Sequence, residues 1–216
     1  KGNSSKPIGI TVNVDNFTRA TDTAFEEADR IGLFVWKDAE NTFWLQNALY
    51  TYTSNGFAAS SEYLWYNDDT ATSTLIAYYP YSANLTPTDN GQYPFKVAAD
   101  QSTHAGYTGS DLMTAVVKGV TPTADKIALT FTHRLSKVII NISNTTPDAV
   151  ADVFMADIQG NCTFNPQSDV TATGGTGTIK GARYAQPKEG YTDSYALILP
   201  PQTSTPKIVV TTVSQK

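Results

Sequence analysis

Few residues in this chain are equipped for chemistry, and their spacing limits what each can do. His104 and His133 are the candidates for a general base or a metal ligand. Neither has a second His, Cys or Glu at ligand spacing, and His133 sits inside an apolar alternation next to Arg134, so both read as structural. Ser110, within Tyr107-Thr108-Gly109-Ser110-Asp111, lacks the second glycine and the strand-to-helix context of a nucleophile elbow. The glycine-rich run from Thr173 to Gly181 has no Gly-Lys-Ser/Thr ending and no helix after it, which makes it a hairpin turn rather than a phosphate cradle. Asn67-Asp68-Asp69 lacks the alternating acidic ligands and the distant Glu of a calcium loop. The single Cys162 excludes an intramolecular disulfide and any cysteine-built metal site. The expectation is therefore no catalytic constellation, no metal and no cofactor: not an enzyme.

Two stretches carry more. An aromatic group, Trp44 and Trp65 with Tyr63, Tyr66, Tyr78, Tyr79 and Tyr81, could stack on sugar faces if its rings were exposed in a row. That is the basis of an alternative reading as a cell-surface, lectin-like β-sandwich, with Trp44 and Trp65 as glycan contacts. At the start of the chain, Ile8, Ile10, Val12 and Val14 alternate with Gly9, Thr11, Asn13 and Asp15, the period-two pattern of a strand with one face in a core. A polar run follows from Asp15 to Asp22. Its one basic residue, Arg19, lies among small and polar neighbours where a protease could reach it. Burying those four apolar side chains stabilises by about 1.5–3 kcal/mol each, roughly 6–12 in all, which is comparable to the stability of a domain.

The composition says which elements hold these stretches. Apolar residues make up 40% of the 216, aromatics 11% and charged residues only 16%, enough for a real core. Abundant Thr, Ser, Tyr and Val, with 14 Gly and 11 Pro, favour strands and turns over helices, and the fold class is all-β. The net charge of −5 and the absence of Lys/Arg clusters argue against nucleic acid or an anionic membrane as principal partner. No run of eighteen apolar residues spans a membrane.

In order, the pattern predicts a helical turn over Phe25–Asp29 and a strand over Arg30–Trp36 that is apolar on both faces and therefore central. A hairpin turns at Asn55-Gly56. A strand over Leu75–Tyr81 should stop at Pro80, which cannot donate to a ladder. Strands follow over Tyr93–Val97 and Asp111–Val117. The long run from Ile127 to Ile142 slips at His133-Arg134, which predicts a bulge. Asn144–Asp148 reads as a linker, giving domains at 1–145 and 146–216, the second with four strands and expected to be incomplete.

Several stretches in sequence resemble the fimbrillins, exported lipoproteins of gut and oral Gram-negative anaerobes that polymerise into pili. They are Thr18-Arg19-Ala20 after a first strand, Arg30-Ile31-Gly32-Leu33-Phe34, Ala77-Tyr78-Tyr79-Pro80-Tyr81, Asp100-Gln101-Ser102, Ser110–Ala115, Phe131–Val138 and Leu197–Gln202. The resemblance implies two transthyretin-like (Ig-like) β-sandwich domains and a lipoprotein precursor displayed on the outer membrane or cell surface as part of a fimbrium serving adhesion. It implies maturation by a trypsin-like protease, here between Arg19 and Ala20, and head-to-tail assembly with other pilus subunits by donor-strand exchange, with possible host or bacterial surface ligands. The removable strand would carry Ile8, Ile10, Val12 and Val14. Members of the family end with further strands that include the donor, so no residue present is assigned that part. Asp22-Thr23-Ala24 and Asp69-Thr70-Ala71 resemble the acceptor motif for O-glycans in exported proteins of the same bacteria, making Thr23 and Thr70 possible O-glycosylation sites.

Overall fold

A computed structural model describes residues 3–15, 24–88, 91–167 and 170–215. Seven strands begin the first of two compact units: β1 (Asn3–Pro7), β2 (Ile10–Val14), β3 (Arg30–Lys37), β4 (Thr42–Thr53), β5 (Gly56–Ala59), β6 (Leu64–Tyr66) and β7 (Ser73–Tyr79). The chain then passes into the second unit with β8 (Tyr93–Lys96) and the five-residue helix α1 (His104–Thr108). It returns to the first with β9 (Met113–Val120) and β10 (Ile127–His133). The remaining strands belong to the second unit: β11 (Ser136–Ile142), β12 (Val150–Gln159), β13 (Asn161–Phe164), β14 (Val170–Ala172), β15 (Thr176–Lys180), β16 (Ala182–Arg183), β17 (Asp193–Leu199) and β18 (Lys207–Thr212). A 3-10 turn, Val213–Gln215, follows β18. The all-β expectation holds, with one short helix that no apolar periodicity announces.

The first unit is built on a seven-stranded sheet in the order β2-β10-β9-β7-β3-β4-β5, with β1 and β6 forming a separate pair. Strands β3 and β7 are its centre, as the two-faced apolar pattern requires. Ile31, Leu33, Val35, Leu75 and Ala77 fill the main core, while Phe34, Ile76 and Tyr78 are buried as well. Gly32 permits the close approach of β7: a Cβ there would lie 2.2 Å from Tyr78 Cε1. The Asn55-Gly56 hairpin joins β4 to β5, with Gly56 at φ +93° in the region that favours glycine. Strand β7 ends at Tyr79, ahead of Pro80. Phe25 follows no helical turn of its own. Asp29 N donates to Glu26 O at 3.0 Å in a simple turn, and the Phe25 ring packs edge-on against Phe57, Tyr79 and Phe131.

Two expectations change. The slip at His133-Arg134 is not a bulge within one strand, because β10 pairs with β2 and β9 in the first unit while β11 pairs with β17 in the second. The alternation resumes there because a different core begins. Nor is there one cut near residue 145. The units divide as Lys1–Leu85, Leu112–His133 and Pro166–Ser168 against Thr86–Asp111, Arg134–Asn165 and Asp169–Lys216. What ties 86–111 to the second unit is pairing: β8 ladders onto β13. The Gln101 side chain, buried at 0% exposure, donates to Ile198 O at 2.7 Å and accepts from Ile198 N at 2.8 Å, acting as a strand would.

Three three-stranded sheets make up the second unit: β11-β17-β16, β15-β12-β18 and β14-β13-β8. Val150 and Val153 from β12 meet Tyr195 from β17, with Ile140 and Ile142 of β11 packed on them. More strands belong to this unit than the four expected, since β8, β11 and the short β13, β14 and β16 all contribute.

Candidate functional site: the amino-terminal strands and their seat

The start of the chain forms two strands serving two sheets, and the alternating stretch Ile8–Val14 begins at the switch between them. Strand β1 runs antiparallel to β6, with Pro7 opposite Leu64. At Ile8 the chain leaves that pair, and by Ile10 it lies on the main sheet. Ile8 N donates to Tyr63 O at 2.8 Å, and Ile8 O accepts from the Tyr50 hydroxyl at 2.7 Å. Gly9 O then accepts from Ile127 N at 3.0 Å, which starts the new ladder. The switch preserves the period of two, so Ile8 and Ile10 remain buried at 3% and 2% exposure while Val12 and Val14 are half-buried against the same core. That narrows the energetic estimate. Two fully buried side chains contribute about 3–6 kcal/mol together, and the two valines contribute less than their full share.

Strand β2 is the edge of the main sheet. It pairs in parallel with β10, from Ile10 opposite Ile127 to Val14 opposite Phe131, and is the one parallel partner in a sheet otherwise antiparallel. Asp15 N continues the ladder onto Phe131 O at 2.8 Å. A parallel edge pairing is slightly weaker per residue than an antiparallel one, and an edge strand can leave without breaking any other pair. Beside it in the ladder lie Ile127, Leu129 and Phe131 of β10, all buried.

Outside the ladder, Lys6 Nζ donates to Pro122 O at 3.2 Å and pairs with Asp69 at 2.7 Å. The ion pair is solvent-facing, with Asp69 well exposed, so it contributes little to stability. Tyr50 is 1% exposed, and its phenol is raised well above the usual tyrosine range, by burial first and by neighbouring Tyr63 second, so it remains a hydrogen-bond donor. Sequence reading missed Tyr50 and Lys6 and gave Tyr63 a different role; Tyr50 lies far along the chain from Ile8, Tyr63 acts through its backbone carbonyl, and the partners of Lys6, Asp69 and Pro122, are distant in sequence.

The other candidates are dispersed. Arg19, Ala20 and Thr23 lie outside the described residues. Thr70 is exposed, its hydroxyl donating to Asp68 Oδ1 at 2.8 Å in a side-chain-closed turn, which also explains the acidic pair without any cation. Trp65 is fully buried, so it has no face to offer a sugar. Trp44 is half-buried, stacked edge-on against Tyr66 with its Nε1–H committed to Leu64 O at 2.8 Å. The two tryptophans are therefore core and rim of one packing cluster rather than a row of exposed rings, and the lectin-like reading loses its site.

Ser110 Oγ donates to Gly106 O at 2.7 Å and accepts from Ala98 N at 2.9 Å, closing a loop rather than waiting for a base. The Cys162 thiol, 1% exposed, is pushed up to about 12 by burial and is inert. His104 lies on α1 and His133 at the end of β10. Among the described residues no group of three or more His, Cys, Asp or Glu side chains could hold a metal ion. Among them, also, no helix is long and apolar enough to cross a membrane.

Comparison with known proteins agrees with the strand architecture. A protein of Bacteroides uniformis named as a proposed fimbrium subunit, Fim1C, is 33% identical over 184 residues, covering 80% of this chain and 57% of its own length. A proposed fimbrium tip subunit of Bacteroides ovatus is 29% identical over 160 residues, covering 63% of this chain and 30% of its own. This chain thus spans about half or less of the curated relatives it matches. A crystal structure of a proposed cell adhesion protein from Bacteroides ovatus superimposes with a TM-score of 0.73 at 22% identity, covering 98% of this chain and 86% of that one, which shows the same fold. The family profile described as fimbrillin-like matches residues 18–216, and the chain belongs to that family.

Proposed function

We propose that this chain is a structural subunit of a bacterial surface fimbrium serving adhesion, exported as a lipoprotein precursor and matured by a trypsin-like protease that cuts between Arg19 and Ala20. Cutting there frees the carboxyl end of the segment holding β1 and β2. That segment then leaves, and a strand from the next subunit takes its seat on β10. The observation that carries this reading is the placement of β2: a strand with one apolar, core-facing side at the open edge of the main sheet, paired in parallel and followed at once by the segment containing Arg19. Its departure would expose Ile127, Leu129 and Phe131 together with the unpaired backbone of β10, a surface that must be refilled or aggregate. Refilling by another chain is β-strand addition, in which the ladder supplies affinity and the alternate side-chain pockets supply register. Because donor and acceptor surfaces differ, the contact is head-to-tail and extends into a filament. The partners are other pilus subunits, the maturation protease and surface ligands of host or bacterial cells.

The test is to treat the precursor with a trypsin-like protease, sequence the new amino terminus and follow assembly by light scattering and electron microscopy. The expected result is a chain beginning at Ala20 that polymerises, with Arg19→Gln remaining monomeric. A cut chain that stays monomeric in the presence of a strand-donating subunit overturns the reading.

A further inference from the structure

The sheet β14-β13-β8 of the second unit carries side chains that neither the core nor the ladders use. Its middle strand sends Cys162 and Phe164 inward, at 1% and 0% exposure, so the alternate residues Asn161 and Thr163 face the other way. On β8 the register sets Lys96 opposite Asn161 and Pro94 opposite Thr163. On the other side Thr173 N donates to Asn161 O at 3.0 Å, which carries the ladder one residue past β14 and brings Thr173 beside Asn161. Residues directly opposite one another share a face, so Lys96, Asn161 and Thr173 form one row and Pro94 and Thr163 begin the next.

These five residues, with Phe95 and Cys162 between them along the strands, line a hollow of about 370 Å³, within the range of small-molecule sites. Its polar groups are uncommitted. The Lys96 ammonium, the Asn161 amide and the hydroxyls of Thr163 and Thr173 have no side-chain hydrogen bond or ion pair among the described residues. Lys96 is the one charge in the lining, with no carboxylate there to neutralise it, on a chain whose net charge is −5. The amide and the two hydroxyls can each donate and accept, whereas the ammonium only donates.

The glycine-rich run begins at the edge of this hollow. It leads from β14 to β15, strands of different sheets, through Gly174 and Gly175 at φ +95° and +72°, where any side chain would be strained. A Cβ on Gly175 would come within 3.3 Å of Asn161 Nδ2, so glycine there leaves the amide room to turn toward a ligand. Asn161, Thr173, Lys96 and Pro94 are all exposed, and Thr163 is half-buried.

We propose that this hollow binds a carboxylate-bearing saccharide of the uronic-acid type. The sugar carboxylate pairs with the Lys96 ammonium, the ring hydroxyls exchange hydrogen bonds with Asn161, Thr163 and Thr173, and the C–H face of the ring lies on Pro94. A neutral sugar leaves the ammonium without a counter-charge, and a simple anion leaves the amide and hydroxyls unused. Only a ligand that carries both satisfies the whole lining. The site shares no residue with the tryptophan cluster of the first unit, and it depends neither on cleavage at Arg19 nor on assembly, so the two readings stand or fall separately.

The test is titration of the isotope-labelled chain with methyl β-glucuronide, methyl β-glucoside and acetate, read by amide chemical shifts in NMR spectra. The glucuronide shifts the amides of Phe95, Lys96, Asn161, Cys162, Thr163 and Thr173, and it binds about tenfold more tightly than the glucoside or acetate, the margin of a charge-assisted hydrogen bond. Lys96→Gln brings the glucuronide down to the level of the glucoside. Thr173→Val weakens both sugars and leaves acetate unchanged. Both substitutions are at exposed positions, and unshifted signals elsewhere in the spectrum report an intact fold. Equal affinity for the glucoside assigns a neutral-sugar site and overturns the inference; equal affinity for acetate assigns a plain anion site and does the same. So does the absence of shifts at these amides, or a Lys96→Gln chain that binds the glucuronide undiminished.

Discussion

At the scale of single residues, the seat of the first strands depends on backbone atoms caught by distant side chains. Tyr50 reaches from β4 to Ile8 O, at the point where the chain changes sheets and neither ladder can serve that carbonyl. Tyr50→Phe keeps the ring and leaves the carbonyl without its donor, so it should cost about 1–3 kcal/mol in chemical denaturation, the penalty of a buried unpaired polar group. The same substitution should speed loss of the amino-terminal segment after cleavage, measured by mass spectrometry of the released peptide. Lys6→Ala should change stability by less than about 1 kcal/mol, because its ion pair is exposed.

At the scale of elements, two edges of the molecule behave differently. Strand β2 is apolar, parallel and terminal, yet it is covered by its own sheet's core; β18 is apolar and terminal with Ile208 and Val210 exposed. The turn after β18 is held by Asp148, whose carboxyl is drawn below its ordinary value chiefly by the Ser214 hydroxyl, with Thr212 and the backbone N–H groups of Ser214 and Val213 adding to it. A lowered folded-state value means that the carboxylate's contribution is complete above the ordinary carboxylate range. It is lost as pH falls through the lowered value, below about pH 4. Amide exchange at Ser214 should therefore accelerate on acidification through that window, and Asp148→Asn should abolish the pH dependence.

At the scale of the whole chain, the interleaving of the two units sets what can be separated. A fragment of residues 146–216 lacks β8, β11 and the Gln101 clamp on Ile198, and so lacks an edge strand of two of its sheets. Such a fragment should show no cooperative thermal transition by circular dichroism. Joining residues 86–111 and 134–216 through a flexible linker should restore one, since every strand pairing of the second unit lies within those segments.

Much was legible in the sequence because it is local. Alternation at Ile8–Val14, Arg30–Trp36 and Ile127–Ile142 states which residues face a core, and Asn55-Gly56 states where a hairpin turns. Only the tertiary structure decided which core each face belongs to. Ile8 and Ile10 keep one alternation while their backbone serves two sheets. The run through His133-Arg134 crosses from one unit to the other, Trp65 goes inside while Trp44 stays at the rim, and β2 takes a parallel edge position. The reason is physical. Periodicity is set by the backbone of each strand alone, whereas pairing partners are chosen by burial and hydrogen bonding between segments far apart in the chain.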